Sequence, residues 1–185
     1  MNDVNTHKIL KNGHKLRIRE AKPDDGFRLL QCINAYLPDS EFIPMDAEEL
    51  AYTSDTIIHW IEKMHQQNNS ILLLAEVEGT IVGNLDLTGS TRKMMSHTAI
   101  LGMGLLKSWR GLGIGSQLLN VAIQWAEEND HLELIWLQVF AQNQTALNLY
   151  KNAGFKQNGH ISNFFKGNSN YDDNIFMSRS VKSSR

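Results

Sequence analysis

A chain of 185 residues and 21.0 kDa, 42% hydrophobic and 21% charged, has the size and composition of one folded domain with a full core. Its net charge of −2 argues against a dedicated nucleic-acid binder; Cys32, the only cysteine, excludes an intrachain disulfide and a cysteine-based metal site and fits a reducing cytoplasm. The polar N-terminus has no apolar signal core, and no apolar run is long enough to span a bilayer, so neither secretion nor membrane residence is expected.

Residues 1–14 read as a polar lead-in open to disorder, with the folded domain expected over 15–180 and a tail at 181–185. Leu16-Arg17-Ile18-Arg19 alternates as a first strand. Lys22-Pro23-Asp24-Asp25 then places proline and acids at a helix start, with Phe27, Leu30, Ile33 or Asn34, and Leu37 following at helical spacing. The stretch from Pro38 to Pro44 breaks that helix. Two further helical pieces are predicted, one from about Asp46 and one from Ser54, a candidate N-cap, through Ile57, Ile58, Ile61 and Met64. Ile71 to Val77 is a mostly buried strand, turned by Glu78-Gly79-Thr80 into a hairpin partner, Ile81 to Leu87.

A polar loop over 88–96 leads to a strand over 98–106. Arg110-Gly111-Leu112-Gly113-Ile114-Gly115 follows and opens into a helix. Its apolar positions 114, 118, 121, 122 and 125, broadened by 119, 123 and 126, make a face that lies against a sheet. Leu134 to Phe140 is a β-rich strand, Gln144 to Asn152 a short helix ended by Gly154, and 155–161 with 174–178 a last strand pair. No internal repeat or interior linker divides the chain. The order combines antiparallel hairpins with one βαβ crossover, an α/β (α+β) class.

Strand, glycine loop and helix together aim backbone N–H groups and a helix N-terminus at one point, and such a point attracts phosphate. The spacing Gly111-x-Gly113-x-Gly115 is not the dinucleotide fingerprint, and no Lys-Ser/Thr follows it, so the nucleotide P-loop is also excluded. The glycines could also serve only close helix–sheet packing; Arg110 beside them favours an anion, and a pyrophosphate fits.

Arg110-x-x-Gly113-x-Gly115 resembles the pyrophosphate loop of the GNAT N-acetyltransferase superfamily, and Asn143-x-x-Ala146-x-x-Leu149-Tyr150-x-x-x-Gly154-Phe155 resembles its second characteristic segment. The likeness runs from Leu16 to about Arg179. Softer features look like the branch containing ribosomal-protein and small-amine acetyltransferases: Ser40-Glu41-Phe42, His97 to Met103, and the ending Gly167…Tyr171-Asp172-Asp173…Met177. The resemblance implies a mixed, mostly antiparallel central sheet of six to seven strands with helices on both faces. It also implies acetyl transfer from acetyl-CoA to a primary amine by direct attack in a ternary complex, with a small amine, polyamine or peptide N-terminus as acceptor. A homodimer is common among resembling proteins; no metal, nucleic acid or membrane partner is implied.

Carried residue by residue, the resemblance implies that Arg110, Gly111, Leu112, Gly113, Ile114, Gly115 and Ser116 hold the pyrophosphate. Met103, Gly104 and Leu105 would pair with the pantetheine arm like an added strand, with one N–H facing the thioester oxygen. Gly102 and Gly104 are costly within a strand, which a bulge, a close backbone approach or simple packing would explain. Tyr150 would protonate the departing thiolate, and Asn143 would bond the pantetheine, cap the helix from Gln144, or do both. The glutamate that histone-type members carry on this strand is Ala99 here, so the general base stays open among His97, Asp86, Glu41 and an ordered water. Glu41, Asp172 and Asp173 could attract a cationic amine. A catalytically weak acyl-CoA sensor on the same fold is the alternative function.

Overall fold

The structure, a computed structural model, describes residues 4–44, 52–167 and 170–182. The helix read from about Asp46 lies outside the described residues. In chain order the elements are β1 (Asn5–Ile9), β2 (Lys15–Glu20), α1 (Gly26–Tyr36), α2 (Ser54–His65), β3 (Ile71–Val77), β4 (Thr80–Gly89), β5 (Thr98–Leu105), α3 (Ile114–Glu128), β6 (Leu134–Phe140), α4 (Gln144–Asn152), β7 (Lys156–Lys166) and β8 (Tyr171–Ser180).

Every residue of β3 is buried, because helices cover both sides of it. Leu72 and Leu74 join Leu29, Ile33, Tyr36, Ile57 and Ile61 in the core beneath α1 and α2. Leu73 and Ala75 turn the other way, onto Leu118, Ala122 and Ala126 of α3 and Leu147 and Tyr150 of α4. This period-two division continues across the sheet: Ala99, Leu101 and Met103 of β5 face α3, while Ile100, Gly102 and Gly104 face the α1–α2 side. Two cores, one per sheet face, therefore account for the helix pairs.

The strands form one eight-stranded sheet in the order β1-β2-β3-β4-β5-β6-β8-β7. All neighbours are antiparallel except β5 and β6, which α3 connects as a crossover. The sheet is thus mostly antiparallel, with eight strands where six to seven were expected. The extra strand is β1, which runs antiparallel along β2 from Asn5↔Arg19 to Ile9↔Lys15 within the stretch read as a lead-in. It is polar and largely exposed; its ladder hydrogen bonds and the Arg17 guanidinium, which donates to Asn5 Oδ1 at 2.9 Å, fix it to β2 without an apolar face. The terminal pair is also longer than read, since β7 and β8 pair beyond Ile161 and Asn174 as far as Lys166↔Tyr171 at the turn.

The first helix starts where Lys22-Pro23-Asp24-Asp25 places it, but the buried face of α1 and the cap of α2 differ from the sequence reading. The apolar stripe of α1 is Leu29, Cys32, Ile33 and Tyr36, and Phe27 is 60% exposed. Asp25, in the first turn, accepts from the Lys22 amide at 2.8 Å and holds the buried guanidinium of Arg19 through two bonds of 2.6 and 2.7 Å, and Arg19 also donates to Glu76 at 3.0 Å. The cap of α2 is Thr53 rather than Ser54: its Oγ1 accepts from the Thr56 amide at 3.3 Å, and Thr56 Oγ1 accepts from the Thr53 amide at 2.9 Å.

Candidate active site

The parallel ladder of β5 and β6 covers only Thr98–Ile100 against Leu134–Trp136. Both strands continue, β5 to Leu105 and β6 to Phe140, without pairing, so they diverge toward their C-terminal ends. The edge of β5 from Leu101 to Leu105 that faces β6 therefore presents backbone donors and acceptors to an open wedge. An extended arm can add to such an edge by main-chain hydrogen bonds.

The glycine loop closes the mouth of this wedge. Gly111 and Gly113 adopt φ of 78° and 85°, a conformation open to glycine at no steric cost, and a Cβ at either would meet nothing within 4 Å. Their reason is backbone direction, not crowding. Gly113 is the N-cap of α3 and has no side chain to bond the first turn, and the first helical hydrogen bond is Gln117 N to Gly113 O at 3.1 Å. The amides from Gly111 to Ser116, Leu112 and Ile114 included, thus have no protein acceptor among the described residues, and they lie at the positive end of α3. Gly115 is different: a Cβ there makes ordinary contacts with Leu149 and Met103 at 3.6 and 3.7 Å. Arg110 is exposed and bridges the Leu105 carbonyl, 3.1 Å from Nε, to the Asp39 carbonyl, 3.5 Å from Nη1.

On the α1–α2 side, the two β5 glycines make room for side chains of neighbouring elements. Asp86 of β4 is paired with Gly102, and a Cβ on Gly102 would lie 2.6 Å from Asp86 Oδ1. A Cβ on Gly104 would lie 2.2 Å from the Tyr36 ring, whose hydroxyl donates to Asn84 Oδ1 at 3.0 Å. Gly102 thus lets a carboxylate lean across β5 toward the wedge. Burial pushes the Asp86 carboxyl up to about 6, against the pull of the Thr88 hydroxyl that donates to Oδ2 at 2.8 Å. A carboxylate titrating near 6 is suited to accept a proton at neutrality.

Tyr150 sits on the opposite side of the sheet, on α4, packed at 5.7 Å from the Phe155 ring. Burial pushes its phenol up to about 12, so it stays protonated at neutral pH. Asn143 caps α4 through Oδ1, which accepts from the Ala146 amide at 3.0 Å, leaving its amide N–H₂ for another partner.

The remaining candidates are dispersed. His97 lies exposed in the turn before β5, at the closed end of the wedge and about 20 Å along the chain from Met103 at ~3.3 Å per residue. The structure does not bring it to Asp86. Glu41 is exposed on the connection after α1, whose neighbouring Phe42 touches Phe140 at 5.8 Å. Asp173 is committed to the β7 bulge: it accepts from the Asn163 amide at 2.8 Å and meets His160 Nε2 at 2.7 Å. These bonds hold its carboxyl below the usual range. Asp172 accepts from the amide of Asp173 at 2.7 Å. Sequence reasoning missed Tyr36, Asn84, Gln138, Phe140 and Asn174, which share the α1–α2 side of the sheet near the wedge. The only signal for them was Gly102-x-Gly104, whose period of two marks one bare strip of strand.

The acetyltransferase (GNAT) family model matches residues 30–155, which include the wedge, the glycine loop and Tyr150. The chain belongs to the GNAT family. Among curated relatives of this GNAT chain, the L-amino acid N-acetyltransferase AaaT of Escherichia coli is 28% identical over 65% of the chain and 74% of its own length. An N-alpha-acetyltransferase of Sulfurisphaera tokodaii is 26% identical over 80% of the chain and 84% of its own length. A GNAT acetyltransferase from Streptococcus pneumoniae superposes with a TM-score of 0.86 at 30% identity, covering 90% of this chain and 99% of that one. The GNAT chain is accordingly an acetyl-CoA-dependent N-acetyltransferase. Its wedge and the acceptor-free amides beyond it fit an extended pantetheine arm ending in a pyrophosphate.

Proposed function

We propose that this enzyme acetylates a primary amine by direct attack, with Asp86 as general base and Tyr150 as general acid. The observation that carries this reading is the Asp86 carboxylate leaning over Gly102 at the wedge, with a carboxyl raised to about 6. The amides from Gly111 to Ser116, with Arg110 beside them, would hold the pyrophosphate, and the β5 backbone at Met103, Gly104 and Leu105 would hold the arm. Bound acetyl-CoA supplies the activated acyl group. Asp86 accepts a proton from the amine as its nitrogen forms the new bond to the acyl carbon. A β5 amide stabilises the charge that develops on the carbonyl oxygen. As the carbon–sulfur bond breaks, the Tyr150 hydroxyl gives its proton to sulfur. Asn143, with its cap bond made, offers its free amide N–H₂ to the arm.

Acceptor and proton donor thus approach the acyl group from opposite faces of one sheet through the same gap. A non-catalytic acyl-CoA sensor gains no observation, because a sensor has no use for a base and an acid so placed. The test is thiol release from acetyl-CoA across a panel of primary amines, for the wild type and for Asp86→Asn. Release with at least one amine and its loss in the variant support the reading. Equal release by both proteins refutes Asp86 as the base.

A further inference from the structure

Extending the register of β5 and β6 past Ile100↔Trp136 sets Gly102 across the wedge from Gln138, and Gly104 across from Phe140. Phe140 is in turn paired with Asn174 of β8. Asn174 is fully buried; its Nδ2 donates to Gln138 Oε1 at 2.7 Å, but its Oδ1 has no hydrogen-bond partner. A buried carbonyl oxygen without a donor costs roughly 1–3 kcal/mol and is uncommon unless something else supplies the donor.

Aromatic rings cluster about Phe140, the strand partner of Asn174. Phe165 stacks on Phe140 at 3.8 Å, Phe42 reaches Phe140 from the α1 side, and Phe164 packs edge-on to Phe165 and Phe176. Phe164 and Ile161 are 47% and 45% exposed, so the apolar surface runs outward from the wedge along β7, the last strand of the sheet. Charge is one-sided. Along β4, β5, β6 and β8, no position on the α1–α2 face is Lys, Arg or His. The described connection over 38–44 carries Asp39 and Glu41 and no basic residue.

We infer that the acceptor is a polypeptide N-terminus with apolar leading residues, not a free amino acid, and that Asn174 Oδ1 accepts a hydrogen bond from its main chain. This rests on the reading that Asp86 and the wedge form the transfer site. An ammonium group suits the acidic surroundings, and a peptide N–H is the donor the orphan oxygen needs. The carboxylate of a free amino acid would face Asp86 and that oxygen with no cation from β4, β5, β6 or β8 to meet it. The apolar surface reaching β7 gives following side chains a place to lie, which a small amine would leave uncovered.

The test compares kcat/KM for four acceptors: a phenylalanyl-leucyl-glycine amide, its aspartyl-led counterpart, free phenylalanine and phenethylamine. The expected result is the apolar-led peptide at least about tenfold above each of the others, the scale of one net hydrogen bond to a buried group. Asn174→Leu should then reduce the ratio of peptide to phenethylamine about tenfold. Phe164→Ala, at an exposed ring, should reduce it severalfold and carries the test if the Asn174 variant fails to fold. Free phenylalanine equal to or better than the peptide overturns the inference and leaves the amine-acceptor reading standing. So does an unchanged ratio in the folded variants. No turnover of the four alongside turnover of another primary amine overturns the inference alone, and no turnover of any primary amine in the panel overturns both.

Discussion

Replacing Asp86 by Asn separates catalysis from stability, because the structure demands opposite effects on the two. The carboxyl is raised from 3.8 to about 6 by burial. At 1.36 kcal/mol per unit this displacement amounts to about 3 kcal/mol of preference for the neutral form in the folded state. Between pH 4 and 6 the folded protein binds the proton that the unfolded chain has released, so stability falls as pH rises through this window. Above about 6 the full cost of the ionised carboxylate is present. Asn is isosteric and never ionises, and its Oδ1 can still accept from the Thr88 hydroxyl. Asp86→Asn is therefore expected to stabilise the fold by about 2–3 kcal/mol at pH 8 and by little at pH 4, read from urea unfolding at both pH values. Over the same range kcat/KM of the wild type, corrected for ionisation of the amine, should rise tenfold per pH unit below about 6 and level off above it. The variant should lose that limb and roughly 10²–10⁴ in kcat/KM. A variant that is less stable at pH 8, or one that keeps the ascending limb, would refute the placement of Asp86 as a desolvated base.

Gly113→Asp should weaken acetyl-CoA binding by at least tenfold in calorimetry, since it strains a φ of 85° and sets a negative charge among the loop amides. Gly115→Ala, whose Cβ makes only ordinary contacts, should stay within a few-fold of wild type. Tyr150→Phe should lower kcat by about 10²-fold with the acetyl-CoA dissociation constant unchanged; an unaltered kcat would assign the proton to water. Arg19→Met removes the more buried of the two guanidiniums, Arg19 and Arg28, that together hold Asp25 and Glu76 below the usual carboxylate range. It should cost about 3–5 kcal/mol in chemical denaturation while leaving acetyl-CoA affinity intact.

The sequence made the apolar framework legible because the framework is repetitive. Continuous burial in Ile71–Val77, alternation in Leu16–Arg19 and the wide apolar face of 114–126 each reflect a local period, and each became the expected element. β1 was not legible because nothing in Asn5–Ile9 is apolar on one face; its partner strand alone fixes it. The start of α2 was misread by one residue because adjacent Thr53 and Ser54 are equally good caps, and only the reciprocal bond with Thr56 decides between them. The glycine loop was legible because left-handed backbone requires glycine at fixed spacing. Asp86 was one acid among several, since what distinguishes it is desolvation against a strand distant in sequence.

The pair Gly102 and Gly104 shows how a site can be written as missing side chains. A strand glycine ordinarily loses stability through chain entropy and lost packing. Here both losses are offset from neighbouring elements, by the Asp86 carboxylate over one position and the Tyr36 ring over the other. The exchange has a directional result. Were Gly102 an alanine, its Cβ would come within 2.6 Å of Asp86 Oδ1, and the carboxylate would have to shift away from β5 and the wedge. Gly104 likewise admits a ring whose hydroxyl is anchored to Asn84 on β4, clamping the end of β5 just before the chain turns through Arg110 into the glycine loop. The strand that would offer its backbone to the thioester is thus held from the α1–α2 side by a side chain with one hydrogen bond. Its opposite face packs against the core of α3 through Leu101 and Met103. Such two-sided support fixes the β5 amides without using the edge that faces the wedge, and a preorganised oxyanion contact requires that edge to stay free.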